Sequence, residues 1–425
     1  MEEFRHHRTL YGILKPRFYV FKRFLCQVGP TAPHMGEFPW WPAGIAARPK
    51  SAHPFVGTVR TQWGPIQYWD MEQILDLDWW AEVPEGMHEW GFWPKEIGTP
   101  TPVHDRSGCW IQLNKTHTAR IIPLLSGYDA SRLARYAPWS ECVHGSGIHL
   151  PVGGRLLNDS DAVLIYEIQN PRPCTMDALE VNYLVARMAE IHSKLENFAT
   201  PNTQDKWNQR LNSMEASLKS RTLWRSPHTR NTKGLPRINF DLDFLADTGT
   251  GISWIAVPFP LPEFILCEPV RLPSIFSLMK IERQWATSKT VNSAERKEIL
   301  EIWSSYVPAS WANKRSLSTV LGGAWVWRYN AVLDQLLHAR TYGDAELERD
   351  SLYWLGEVSR LQARLGTLRM WKSGFWVGLT GVIVAYIGND WGTFTSMQSL
   401  LLAAGSIAFA GVTNRMYWAK DPPPY

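Results

Sequence analysis

The sequence predicts an α+β soluble region followed by a C-terminal helical stalk and a two-helix transmembrane hairpin. Three observations carry that prediction. Between Lys372 and Arg415 the only formal charge is Asp390, so two long apolar runs stand next to each other. Residues 161–169 (DAVLIYEIQ) and 116–127 (THTARIIPLLSG) read as β-branched, apolar strands. Val181, Leu184, Val185, Met188, Ile191, Leu195 and Phe198 recur at helical spacing on one face.

At 425 residues the chain has room for two or three domains, and 45% apolar residues supply material for a core. A net charge of +4 gives no argument for nucleic acid as a partner. Five cysteines (Cys26, Cys109, Cys142, Cys174, Cys267) are scattered without a CxxC pair, which fits a reducing compartment better than a disulfide framework. The 23 tryptophans are unusual; many sit with Pro and Gly in the first quarter, as in Trp40-Trp41-Pro42, Trp79-Trp80 and Trp90-Gly-Phe-Trp93. They serve either as the filling of a small core or as an interaction surface.

Residues 1–27 form a basic and aromatic arm, with Arg5, Arg8, Lys15, Arg17, Lys22 and Arg23 among Phe4, Phe18, Tyr19, Phe21 and Phe24, and no secretory signal. Residues 28–110 read as a Trp/Pro-rich module of turns and short strands, because proline from Pro30 to Pro100 denies a long helix its backbone donors. Residues 111–200 form a mixed α+β region with Val152-Gly-Gly as the turn before its second strand and a helix over Thr175–Phe198 capped by Thr175. A polar, basic linker follows at 201–237. Residues 238–343 return to strands and then helices, at Asn292–Tyr306 and Ser316–Arg340. Over 344–372, Trp354, Val358, Leu361, Leu365 and Leu368 alternate four and three apart, which is the seam of a short coiled coil. An amphipathic helix packed on its own domain gives the same pattern.

The hairpin occupies 373–414, and the tail 415–425. Each run lies close to the ~17-residue lower limit for crossing a bilayer. Trp371, Phe375 and Trp376 stand at one interface, Trp391 and Phe394 at the turn, and Tyr417 and Trp418 back at the first interface, which is the aromatic belt expected of membrane anchors. Arg364, Arg369, Lys372, Arg415 and Lys420 flank the open end, while the turn carries Asp390 alone. The positive-inside rule then keeps both termini on the cytoplasmic or equivalent side. Gly374/Gly378, Gly381/Ala385, Ala404/Ala408 and Ser406/Ala410 are small residues four apart, which allow helices to approach closely in lipid.

Candidate chemistry lies at three places. Asp241 and Asp243, two apart on a strand, share a face and with Asp247 form a carboxylate cluster suited to Mg²⁺ or Mn²⁺. Phe244-Leu245-Ala246-Asp247-Thr248-Gly249 resembles the active-site turn of pepsin-like and retroviral-type aspartic proteases. That resemblance implies a paired aspartate dyad that activates water; with one Asp-Thr-Gly in the chain, it also implies a homodimer. Cys142, His144 and His149 fall within eight residues and are metal-ligand types. Finally, Pro422, Pro423 and Tyr425 form a Pro-Pro-x-Tyr tail that resembles the ligand of WW domains, which read a polyproline II helix.

These features lead to the expectation of a non-enzymatic, membrane-anchored scaffold or subunit of a membrane complex, whose partners are the bilayer and a second copy or another protein. The first alternative is a membrane-tethered hydrolase or metal-dependent enzyme that uses Asp241, Asp243 and Asp247 with a divalent metal. The second is an oligomeric small-ion channel, although neither span carries a charged residue to line a pore.

Overall fold

The computed structural model describes residues 18–21, 24–28, 55–61, 64–104, 109–122, 130–169, 171–174, 179–201, 233–236, 238–258, 271–288, 293–312, 323–342 and 345–419. Most of the basic arm, residues 202–232 of the linker expected over 201–237, Thr175 and the Pro422–Tyr425 tail lie outside them, while the two ends of that linker pair as strands, Pro201 with Lys233.

In chain order the strands are β1 (Phe18–Phe21), β2 (Phe24–Val28), β3 (Phe55–Thr61), β4 (Gly64–Asp70), β5 (Met87–Gly91), β6 (Thr101–His104), β7 (Cys109–Gln112), β8 (Thr118–Ile121), β9 (Ile148–His149), β10 (Gly153–Leu157), β11 (Ser160–Tyr166), β12 (Arg172–Pro173), β13 (Thr200–Pro201), β14 (Lys233–Leu235), β15 (Leu245–Asp247), β16 (Ile252–Ile255) and β17 (Leu272–Pro273). The helices are α1 (Leu77–Ala81), α2 (Ala130–Tyr136), α3 (Ser140–Val143), α4 (Val181–Lys194), α5 (Ser274–Ser288), α6 (Ser293–Tyr306), α7 (Gly323–Tyr342), α8 (Ala345–Asp390) and α9 (Ser396–Ala419). The α+β expectation holds, with mixed sheets and helices ahead of two apolar C-terminal helices.

A six-stranded sheet in the order β5-β10-β11-β8-β7-β6 organises the first half of the body. Side chains alternate across its two faces. Ile111, Ala119, Ile121, Val163 and Ile165 point one way and pack with Trp69, Met71, Ile74 and Trp80. Trp110, Leu164 and Tyr166 point the other way, against Phe244, Ala246, Ile255 and Val257 of the second half. Both faces are covered, and for that reason β11 is buried along its whole length. The boundary expected between 110 and 111 falls inside β7, so one sheet joins both regions.

The expected turn at Val152-Gly153-Gly154 is corrected: both glycines lie in β10. A Cβ at Gly153 would stand 2.0 Å from the Phe92 carbonyl oxygen, and one at Gly154 2.2 Å from that of Val163, so close strand approach demands glycine. The reversal instead uses Asn158 and Asp159, at φ 50° and 59°, residue types that tolerate a left-handed hairpin turn.

The tryptophans described act mainly as core. Trp69, Trp80, Trp90 and Trp110 are buried. Trp79 and Trp93 sandwich the buried Arg155 guanidinium, at 4.8 and 4.1 Å from their ring centroids. Arg155 also donates to Glu89, 2.7 Å away, and to the carbonyls of Trp79 and Trp80, which ties the Trp-rich segment to β10.

In the helical half, α4 packs on α6, α5 on α7, and α7 on α8. The helix expected over 175–198 is shorter than expected: α4 begins at Val181 with Glu180 as its N-cap, and a single 3₁₀ turn at Glu196–Phe198 follows it. The stalk and the first span form one continuous helix, α8, of 46 residues, about 69 Å at 1.5 Å per residue. Its start is held to the body. Arg283 of α5 pairs with Asp350 and stacks 5.3 Å from Trp354, and Arg340 of α7 bonds Glu348 at 2.9 Å. Leu355 and Leu368 are buried. The first turns of α8 therefore pack on the chain's own body.

Gly366–Asp390 and Ser396–Ala419 are long and apolar enough to cross a membrane, and only 11% of each apolar window is buried, so they are not core helices of the body. They pack closely on each other. A Cβ at Gly378 would stand 2.7 Å from the Ser406 carbonyl, and one at Gly381 2.3 Å from the Ser406 hydroxyl. Three of the four expected small-residue pairs, Gly374/Gly378, Gly381/Ala385 and Ser406/Ala410, thus lie within the hairpin contact, while Ala404 and Ala408 face outward.

Candidate functional site

The two halves of the body meet along an apolar seam, and two polar features lie beside it. The first is Arg120 on β8, a central strand. It is 1% exposed and faces the helical half, because its register partners across the sheet are Trp110 and Leu164. Its guanidinium lies 4.9 Å from the Trp110 ring and 5.9 Å from the Phe244 ring. Tyr166, one strand away, is fully buried and donates to the Ala256 carbonyl. Burial pushes its phenol far above the usual range, and the positive charge of Arg120 opposes that shift.

The second feature is the loop Asn239–Phe244, which carries Asp241. Asp241 is 2% exposed. One carboxylate oxygen accepts from the Gln284 amide at 2.6 Å and from the Asp243 backbone at 3.0 Å, and the other lies 3.3 Å from the Lys280 ammonium. Gln284 also accepts from the Leu242 amide at 3.1 Å, and Lys280 donates to Asn239 at 3.3 Å. Both Lys280 and Gln284 belong to α5, so one helix fixes the loop. Phe244, three residues beyond Asp241, is the point at which this loop reaches Arg120.

The carboxylate cluster expected from sequence is not one site. Asp241 is buried, Asp243 sits beside it through its backbone, and Asp247 caps the β15–β16 turn by accepting from the Gly249 amide at 3.0 Å. The Asp-Thr-Gly resemblance therefore falls on a turn in which Thr248 bonds to Thr250 and Gly251 at 3.0 Å. Cys142 and His144 are exposed, while His149 is half-buried in β9. Burial, and then the neighbouring His144, lowers the pKa of His149 below the usual imidazole value. Among the described residues no three His, Cys, Asp or Glu side chains come together as a metal group. Between Cys142 and His149, Ser146 is buried and accepts from Lys194 at 2.5 Å, which locks that turn onto α4. Of the expected anchor residues, Trp376, Trp391 and Trp418 are exposed on the hairpin, and Trp371, Phe375 and Tyr417 are half-buried.

Sequence reasoning missed Arg120, Tyr166 and Trp110. An arginine inside the apolar strand Thr118–Ile121 was the available signal, since a cation there must meet a partner or an aromatic face.

No protein-family model matches the chain, and a search of curated proteins found no match. Solved structures of similar architecture include a glucosamine kinase in complex with glucosamine, ADP and inorganic phosphate (TM-score 0.40, 11% identity, covering 80% of this chain and 90% of that one). Another is an aminoglycoside phosphotransferase in complex with GDP and kanamycin (0.38, 11%, 67% and 96%). A third is a choline kinase from Cryptosporidium parvum Iowa II (0.36, 9%, 69% and 94%). At these scores the likeness assigns no ligand or activity to this chain. All three are kinases or phosphotransferases, and on that finding the expectation of a non-enzymatic scaffold or complex subunit is corrected, together with its hydrolase and channel alternatives. The body is a folded two-part unit with its own seam, the three aspartates do not converge, and the two apolar helices close on each other.

Proposed function

We propose that the chain is a phosphotransferase-type protein whose body is held on a membrane by the α8–α9 hairpin. The observation that supports it is the meeting of Arg120 from the sheet with the Asp241 loop from the helical half, through Phe244. Phosphoryl transfer depends almost wholly on positioning and on stabilising negative charge. In this reading Arg120 attracts the phosphate oxygens, and Asp241, oriented by Lys280 and Gln284, accepts the proton of a hydroxyl acceptor. Arg120 and Trp110 are buried, so ligand entry requires the two halves to part, a gating motion of the kind that sets many turnover rates. The described residues supply no metal cage, and the reading rests on Arg120 and Asp241.

The membrane part of the reading rests on exposed apolar faces, with the basic flanks on the body's side and Asp390 on the other. The test is incubation of the full-length chain, in detergent or bilayer discs, with labelled magnesium ATP or GTP and small hydroxyl or amino-sugar acceptors. The reading expects nucleotide-dependent thermal stabilisation and label transfer, both lost in Arg120→Ala, and transfer alone lost in Asp241→Asn. A folded protein that neither shifts nor transfers with either nucleotide overturns it.

A further inference from the structure

We infer that the body-side end of the hairpin is a binding surface for acidic phospholipid headgroups, an inference that rests on the membrane reading above. Packing fixes the level of each residue there. A Cβ at Gly374 would stand 2.9 Å from Thr413, and the Lys372 ammonium lies 5.2 Å from the Tyr417 ring. Lys372 of α8 and Arg415 of α9 therefore sit at one depth, and Arg369 is one turn further from the apolar region. Lys372 also lies 5.3 Å from the Phe375 ring, so two aromatic faces hold its charge at the end of the apolar region. Trp376 and Trp418, 56% and 66% exposed, flank the same level.

The opposite end is different in kind. From Ser373 to Asn389 and from Trp391 to Asn414 there is no charge, and the turn between carries only Asp390. Nor does α8 hold an acidic residue between Glu357 and Asp390. A ligand that touches the basic residues also touches the exposed apolar faces of both helices immediately beside them. That combination describes a molecule with an anionic head and an acyl tail. A nucleic acid or an acidic peptide would leave the apolar part uncovered. A zwitterionic headgroup meets the same residues without net attraction, so the preference is for acidic lipids.

The test places the full-length chain in discs of phosphatidylcholine and phosphatidylserine, extracts it gently, and counts retained lipids by native mass spectrometry. Carbonate extraction run in parallel reports insertion separately. The expected result is at least a tenfold preference for phosphatidylserine, falling about fivefold for each of Arg369→Gln, Lys372→Gln and Arg415→Gln, with insertion unchanged. Retention in the ratio of the disc, or a triple variant that keeps the full preference, overturns the inference while leaving the membrane reading in place. Release of the chain by carbonate overturns both.

Discussion

The body and the hairpin use the same residue types in opposite places. In the body, charges and indoles turn inward. Glu282 is fully buried between Arg328, at 2.9 Å in a forked pair, and Arg296 at 3.6 Å, and Trp80, Trp110 and Trp303 are almost wholly enclosed. In the hairpin the large apolar side chains turn outward, among them Ile383, Leu400 and Ile407, while Gly374, Gly378 and Gly381 face the partner helix. Left in water, an apolar surface that large would be driven to associate. The contrast fits the proposed membrane anchor, with water around the body and hydrocarbon around the hairpin.

That contrast can be broken at either end. The largest effect is expected from Glu282→Leu, which leaves two arginines buried without their shared carboxylate. It should cost about 3–5 kcal/mol, seen as a loss of thermal stability of the body. Gly378→Leu attacks the other region. Overpacking should cost roughly 1–3 kcal/mol, read as loss of cross-linking between cysteines placed on α8 and α9, with the body's unfolding transition unchanged. If the body melts as well, the two regions are not independent.

A third test uses pH. His192 is buried, accepts from the Trp303 indole at 3.3 Å, and burial lowers its pKa from 6.5 to about 3. The unfolded chain therefore binds the extra proton first as pH falls. The stability contributed by neutral His192 is complete above about pH 6.5 and is lost as pH drops towards 3, at about 1.4 kcal/mol per pH unit. His192→Gln should flatten that part of the denaturation profile. The smallest effect is expected at Trp376→Ala. On an exposed hairpin face it should move the body's stability by less than about 0.5 kcal/mol, yet reduce partition into bilayers.

The hairpin and most helices were legible in the sequence because their signals are local. Seventeen-residue apolar runs, basic flanks and three-four spacing need no knowledge of the rest of the chain. What local reasoning could not give was pairing. The six-stranded order depends on β5 and β10 meeting across more than sixty residues, and the glycines of β10 read as a turn until Phe92 and Val163 are seen pressing on them. The candidate site was half legible. Asp241 was picked out for its neighbours Asp243 and Asp247, whereas its real partners, Lys280 and Gln284, lie one helix away. Arg120 was passed over as part of a strand. The stalk's three-four spacing runs straight towards the first span, and the backbone continues helical through Lys372.

The central claim is that the seam between sheet and helical half handles a phosphate-bearing ligand. Its most direct test is the thermal unfolding of the full-length protein with and without magnesium ATP and GTP, compared with Arg120→Ala. The account predicts nucleotide-dependent stabilisation in the wild-type chain and none in the variant. Equal melting with and without nucleotide, in a wild-type body that unfolds cooperatively, contradicts it.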